Sequence, residues 1–177
     1  ADWVEQRGLR PFCLVHQAIQ CEFSHLEQRA PNAVILGDAE SDLNYENLNR
    51  AFQLCQAGAP LIGIGRNRYF KLNRQLMLDA GPFIKALEYA AGIEAIIMGK
   101  PSVDFFRQVA AAVDVPLEAI LMIGDDVQGD VEGALLAGMQ GCLVRTGKYR
   151  QGDEDSIRGR FHTVESVFEA VSLAFNP

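Results

Sequence analysis

The stretch that decides the fold is Ile120-Leu121-Met122-Ile123-Gly124-Asp125-Asp126-Val127-Gln128-Gly129-Asp130. A short apolar run leads directly into an acidic turn, and Val127, Val131, Ala134 and Leu135 then recur at helical spacing up to Gly138. This is a strand, a turn and a helix, and in open parallel α/β sheets the carboxyl ends of the strands are where ligands sit. Three carboxylates within six positions at such an end are costly to hold together without a cation. A hard, oxygen-seeking ion such as Mg²⁺ takes one or two of them and keeps its other positions for water and phosphate. A plain helix start also collects acids, drawn by the unpaired N–H groups and the dipole. Asp126 fits that reading well, and Asp125, at the strand tip, fits it less well.

Working outward, the preceding unit has the same form. Ala95–Met98 reads as a strand, Gly99-Lys100-Pro101-Ser102 as its tip, and Val103, Phe106, Ala110 and Val113 as a helical stripe behind Ser102 as N-cap. A lysine there is solvated or aims a compact ammonium into the cleft. Two successive units put Lys100 and then Asp125 and Asp130 at one sheet edge, the cationic and acidic halves of a phosphate site. Further strands are expected at Phe12–His16, Ala33–Gly37, Pro60–Ile64 and Gly141–Arg145, rich in Val, Ile or Leu without clean alternation, as strands covered on both faces should be. Helices are expected behind Asn44, after Gly81-Pro82 with a stop at Gly92, and along Val164, Val167, Phe168 and Val171. Strand-helix alternation along the chain predicts an α/β fold with largely parallel sheets. The basic strip Gly63–Lys71 interrupts it and reads as a loop, functional or simply solvated.

Composition narrows the classes. The 177 residues are 49% hydrophobic and 22% charged, which excludes wholesale disorder and a collagen-like fibre. A net charge of −7 argues against an electrostatic nucleic-acid binder. No apolar run approaches the length of a membrane span, and Ala1–Arg7 does not read as a signal peptide. Cys13, Cys21, Cys55 and Cys142 are scattered, so buried reduced thiols and a cytoplasmic location are expected.

The pairing of Gly99-Lys100-Pro101-Ser102 with Gly124–Asp130, continued by Gly133-Ala134, Ala137-Gly138-Met139 and Val144-Arg145-Thr146-Gly147-Lys148-Tyr149, resembles motifs III and IV of the haloacid dehalogenase superfamily of phosphatases. The wider resemblance is to members with a large C2-type cap inserted between motifs II and III. It implies a haloacid dehalogenase-like Rossmannoid core, of which this chain holds the carboxyl-terminal half, plus an α/β cap domain. The cap is expected over 1–94 and the half-core over 95–177. Carried over by position, Asp125 would be a direct Mg²⁺ ligand and Asp126 no closer than a neighbour of the ligand shell. Asp130 would act through water or by holding Lys100, and Lys100 would stabilise the nucleophile and the transferring phosphoryl group. Gly65–Lys71 becomes the candidate specificity loop, with Arg66, Arg68 and Lys71 attracting anions and Tyr69 and Phe70 limiting access.

The resemblance also implies an aspartate nucleophile in an Asp-x-Asp-Gly setting and a following Thr or Ser, neither of which is in this sequence. The expectation is that roughly 80 to 90 residues ahead of the cap are missing, judged from typical domain size. Asp38 and Glu40 are acids two apart at a strand tip, but they match the cap, and Glu stands where Asp is required. The 177 residues alone are therefore expected to be inactive. The implied activity is Mg²⁺-dependent hydrolysis of a phosphate ester, phosphoamide or pyrophosphate through an aspartyl-phosphate. The substrate would be a small phosphorylated molecule or phosphoamino acid, with no nucleic acid or membrane partner, and a homodimer would form through the cap. The alternatives are a truncated or degenerate relative that binds phosphate or a partner without turnover, and an unrelated doubly wound signalling domain with an acidic Mg²⁺ pocket.

Overall fold

The computed structural model describes residues 1–175, and the chain divides into two compact units: Ala1–Tyr69 with Leu78–Met98, and Phe70–Met77 with Gly99–Pro177. The division after Met98 falls four residues beyond the expected one. The strand over 96–97 accounts for the difference, because it pairs in the sheet of the first unit.

In the first unit, β1 (Pro11–Leu14), β2 (Ala33–Leu36), β3 (Leu61–Gly63) and β6 (Ile96–Ile97) form a parallel sheet in the order β1-β2-β3-β6. β2 is central, and all four of its residues are buried. Val34 and Leu36 face a core that includes Ala51, Cys55, Ile84 and Leu87 from helices α2 (Tyr45–Gln56) and α3 (Ala80–Ala91). Ala33 and Ile35 face Val4 of the short α1 (Asp2–Glu5) together with Phe23 and Leu26. Burial on both faces is why the strands read as continuous apolar runs.

Local signals set the helix ends. The Asn44 side chain accepts from the Asn47 N–H at 3.0 Å, and Gly92 closes α3 in the left-handed region at φ +67°. α3 starts earlier than the Gly81-Pro82 pair suggested, because Asp79 caps it through the Ala80 N–H at 2.6 Å.

The strip expected to be an irregular loop is partly regular. Two strands, β4 (Tyr69–Leu72) and β5 (Gln75–Leu78), make a hairpin. Its two-residue turn, Asn73-Arg74, has both φ angles positive, +46° and +69°, as a tight hairpin requires.

In the second unit, β7 (Leu121–Gly124), β8 (Gln140–Val144) and β9 (His162–Val164) form a parallel sheet in that order. One face is packed by α4 (Val103–Val113) and α5 (Gly133–Ala137) through Phe106, Ala110, Ala134 and Ala137. Ala170 of α6 (Val167–Phe175) packs with Cys142 and Val144. Ser102 stands at the N-cap of α4, but its hydroxyl makes no capping bond.

The stripe expected to be the buried face of α6 is exposed: Phe168 is 83% accessible, and Val167 and Val171 are exposed too. β7 is half-exposed along its length and has no strand on its outer edge among the described residues, whereas Gly141–Val144 of β8 is buried. Periodicity identified an apolar face but not its cover.

Among the cysteines, Cys55 and Cys142 are buried as expected, Cys13 is half-buried and Cys21 is exposed; all are free thiols. No helix among the described residues is long and apolar enough to cross a membrane.

Candidate functional site

The carboxyl ends of β7 and β8 lie side by side because the strands are parallel and paired in register from Leu121–Gln140 to Gly124–Leu143. The acidic turn follows β7. Its next segment, Val127–Glu132, is a π-helical turn rather than the first turn of a plain α-helix. The Asp130 and Val131 N–H groups both reach back to the Asp126 carbonyl, at 2.8 and 3.3 Å. Such widened turns recur at functional sites. Gly124 is required here: a Cβ at this position would collide with the Asp130 carboxylate.

The structure brings Lys100, Asp125, Asp126 and Asp130 together, and the three acids are not equivalent. Asp130 is buried, with its side chain 5% exposed against 34% for Lys100. Its Oδ1 accepts from Lys100 Nζ at 2.6 Å and its Oδ2 from the Asp126 N–H at 3.1 Å. Asp126 Oδ1 accepts from the Gln128 and Gly129 N–H groups at 3.1 and 2.9 Å, and its Oδ2 meets Lys148 Nζ at 2.7 Å. Burial alone would raise the Asp126 carboxyl. The Gly129 N–H, the Lys148 ammonium and the Gln128 N–H outweigh it and hold the group below its ordinary range. Asp125 Oδ2 accepts only the Lys148 N–H, at 2.7 Å, and its Oδ1 accepts nothing among the described residues.

Asp125 is thus the carboxylate with an oxygen left for a cation. The described residues contain no cluster of three or more acidic, His or Cys side chains able to hold a metal. One carboxylate with an oxygen to spare is within what Mg²⁺ accepts, since that ion takes one or two carboxylates and fills its other positions with water and phosphate oxygens.

Sequence reading left Lys148 out of the site residues. Its signal was positional: it follows the tip of the strand expected at Gly141–Arg145. The Thr146–Tyr149 turn is pressed against the acidic one, and a Cβ on Gly147, already at φ +58°, would collide with the Asp125 carboxylate. The Gly147 carbonyl accepts from Lys71 Nζ at 2.8 Å.

The remaining candidates of the 65–71 strip have diverse roles. Arg66 is committed to Glu88 of α3, whose side chain is 5% exposed; Arg66 Nη2 reaches its Oε1 at 2.6 Å. Glu88 also accepts from Lys85 Nζ and from the Ala95 N–H. Burial would raise the Glu88 carboxyl, but these partners together lower it. Arg68 is exposed, and its carbonyl receives the Asp79 N–H at 3.3 Å. Tyr69 and Phe70 are half-buried. Asp38 Oδ1 closes a local turn by accepting the Glu40 N–H at 3.1 Å.

Residues 97–170 match a hydrolase-like family model (HAD-hyrolase-like). The chain is 46% identical over 173 residues to phospholysine phosphohistidine inorganic pyrophosphate phosphatase of Rattus norvegicus, covering 96% of this chain and 64% of that protein. The chain thus spans somewhat under two-thirds of that relative's length. The structure superposes on 4-nitrophenylphosphatase from Thermotoga maritima with a TM-score of 0.83 at 24% identity, covering 97% of this chain and 68% of the other. It also matches glycerol phosphate phosphatase from Mycobacterium tuberculosis, crystallised with magnesium, with a TM-score of 0.68 at 26% identity over 79% of this chain and 44% of the other. Motif pairing and sequence identity agree with the family-model match, and residues 97–170 belong to the HAD-hyrolase-like family.

Proposed function

We propose that this chain is the cap and carboxyl-terminal half-core of a Mg²⁺-dependent phosphatase acting on a phosphate ester, phosphoamide or pyrophosphate. The first unit serves as cap, and the part of the second unit from Gly99 onward as half-core. The observation that carries the reading is the Asp125 oxygen without a partner among the described residues, beside the Lys100–Asp130 pair at one strand edge. The rat relative's name specifies phospholysine, phosphohistidine and pyrophosphate, and the substrate class is drawn from it.

Asp125 would hold the cation, which when bound offsets phosphate charge. The Lys100 ammonium, aimed by Asp130, faces the negative charge of the phosphoryl group as it transfers. It strengthens as a donor where water is excluded. The nucleophile is an aspartate from a segment outside these 177 residues. Its oxygen bonds to phosphorus as the bond to the leaving group breaks, and the leaving group departs with the bonding electron pair and takes a proton from water. Water then cleaves the aspartyl-phosphate to release phosphate and regenerate the carboxylate. That segment would also cover the outer edge of β7 and the apolar face of α6, both exposed here.

The test is phosphate release from p-nitrophenyl phosphate and pyrophosphate by protein expressed from the full reading frame. Hydrolysis that needs Mg²⁺ and is lost in Asp125→Asn is expected. Hydrolysis indifferent to both chelator and Asp125→Asn would sink the proposal. Verified 19.5 kDa chain is expected to show no turnover.

A further inference from the structure

Lys148 addresses two neighbouring acids in opposite ways. Its backbone N–H orients Asp125 through Oδ2 without neutralising it, and its ammonium takes Asp126 Oδ2. The ammonium is well shielded, its side chain 13% exposed against 20% for Asp126, so this is not a loose surface pair. With Lys100 on Asp130, each lysine cancels one acid. The charge of Asp125 is left over, and its Oδ1 is the one carboxylate oxygen of the three acids that accepts nothing among the described residues.

Resting on the magnesium reading above, we infer that Lys148 sets how many carboxylates the acidic turn offers a cation. It withholds Asp126 and leaves Asp125 as the single carboxylate ligand that the acidic turn supplies. The consequence is selectivity. Mg²⁺ is content with one or two carboxylates and several waters, whereas Ca²⁺ gathers six to eight oxygens and gains with each carboxylate supplied. Lys148 is a positioning residue: it acts on the cation through Asp125 and Asp126.

The experiment is a Mn²⁺ titration of protein expressed from the full reading frame, following the free ion by electron paramagnetic resonance. Mg²⁺ and Ca²⁺ serve as competitors, and no turnover is needed. Lys148→Met frees Asp126 Oδ2 and shifts the Ca²⁺/Mg²⁺ affinity ratio about tenfold toward Ca²⁺. Lys148→Arg, which keeps the pair, leaves the ratio at its parent value. The double variant Lys148→Met/Asp126→Asn removes one charge of each sign, and its ratio stays within about twofold of the parent. This second arm stands even where Lys148→Met does not fold. An unchanged ratio in folded Lys148→Met, or about a tenfold loss of Mn²⁺ affinity in the double variant, overturns the inference and leaves the magnesium reading intact. No Mn²⁺ binding by the parent protein overturns both.

Discussion

Replacing Lys100 with Met removes the cation from a carboxylate that cannot reach water easily. Asp130 is 5% exposed and would keep only the Asp126 N–H, at 3.1 Å, in place of an ammonium at 2.6 Å. Removing one partner of a fully buried ion pair costs about 3–5 kcal/mol. Lys100 is itself 34% exposed, so solvent already screens part of the interaction, and the discounted cost is about 2 kcal/mol. In a unit of about 60–100 residues that lowers Tm by roughly 8–16 °C. The assay is thermal unfolding by circular dichroism without metal, run beside Lys85→Met. Lys85 pairs with Glu88 but is 74% exposed, so its loss should cost no more than about 0.5 kcal/mol. In the active protein, Lys100→Met should also lower kcat by about 10²–10³ with little change in KM, because the ammonium acts on charge that develops during transfer. If Lys100→Met melted with Lys85→Met, the ammonium would not be anchored to a buried acid. A rise in KM at unchanged kcat would remove the transition-state role.

Asp125→Asn should abolish most Mg²⁺-dependent turnover while Asp126→Asn, whose acid is already engaged by Lys148 and two N–H groups, should cost less; steady-state assays showing equal losses would reverse the assignment. Gly147→Ala should weaken Mn²⁺ binding by more than about tenfold, since its methyl displaces the Asp125 carboxylate, and a titration matching the parent would contradict that packing. For Glu88→Gln the pH dependence has a definite sign. The folded carboxyl lies below its unfolded value of about 4.3, so its contribution is full above that pH and fades as pH falls through the folded value. The Tm gap between parent and Glu88→Gln should therefore be constant above about pH 5 and close in more acidic solution; a gap that widened on acidification would contradict the sign. Joint replacement of Tyr69 and Phe70 by Ala should reorder the preference among phosphate substrates without moving Mn²⁺ affinity, and an unchanged ranking would make the strip purely structural.

What the sequence determined by itself is local or repetitive. All but one of the strands of the two parallel sheets were legible because burial on both faces leaves an unbroken apolar run, as in Ala33–Leu36; β9 was not, and its Val164 was read into the last helical stripe. Asn44 and Gly92 marked helix ends because a cap acts within a few residues of its position. Lys100 and the Asp125–Asp130 turn were legible because each follows a strand, and in a parallel sheet all strands end on one edge. Pairings between distant residues were decided only in three dimensions. Arg66 with Glu88, read in the sequence as a substrate-attracting arginine, and Lys148 with Asp126 each depend on which elements fold beside each other. The hairpin over 69–78 was missed because its turn, Asn73-Arg74, lacks the glycine that usually announces one. The π-helical turn at Val127–Glu132 keeps the apolar spacing of a helix, so periodicity could not reveal it. The exposed stripe of α6 shows the same limit from the other side. Spacing along a chain reports which face wants burial, but the covering surface is set by contacts between segments far apart in sequence.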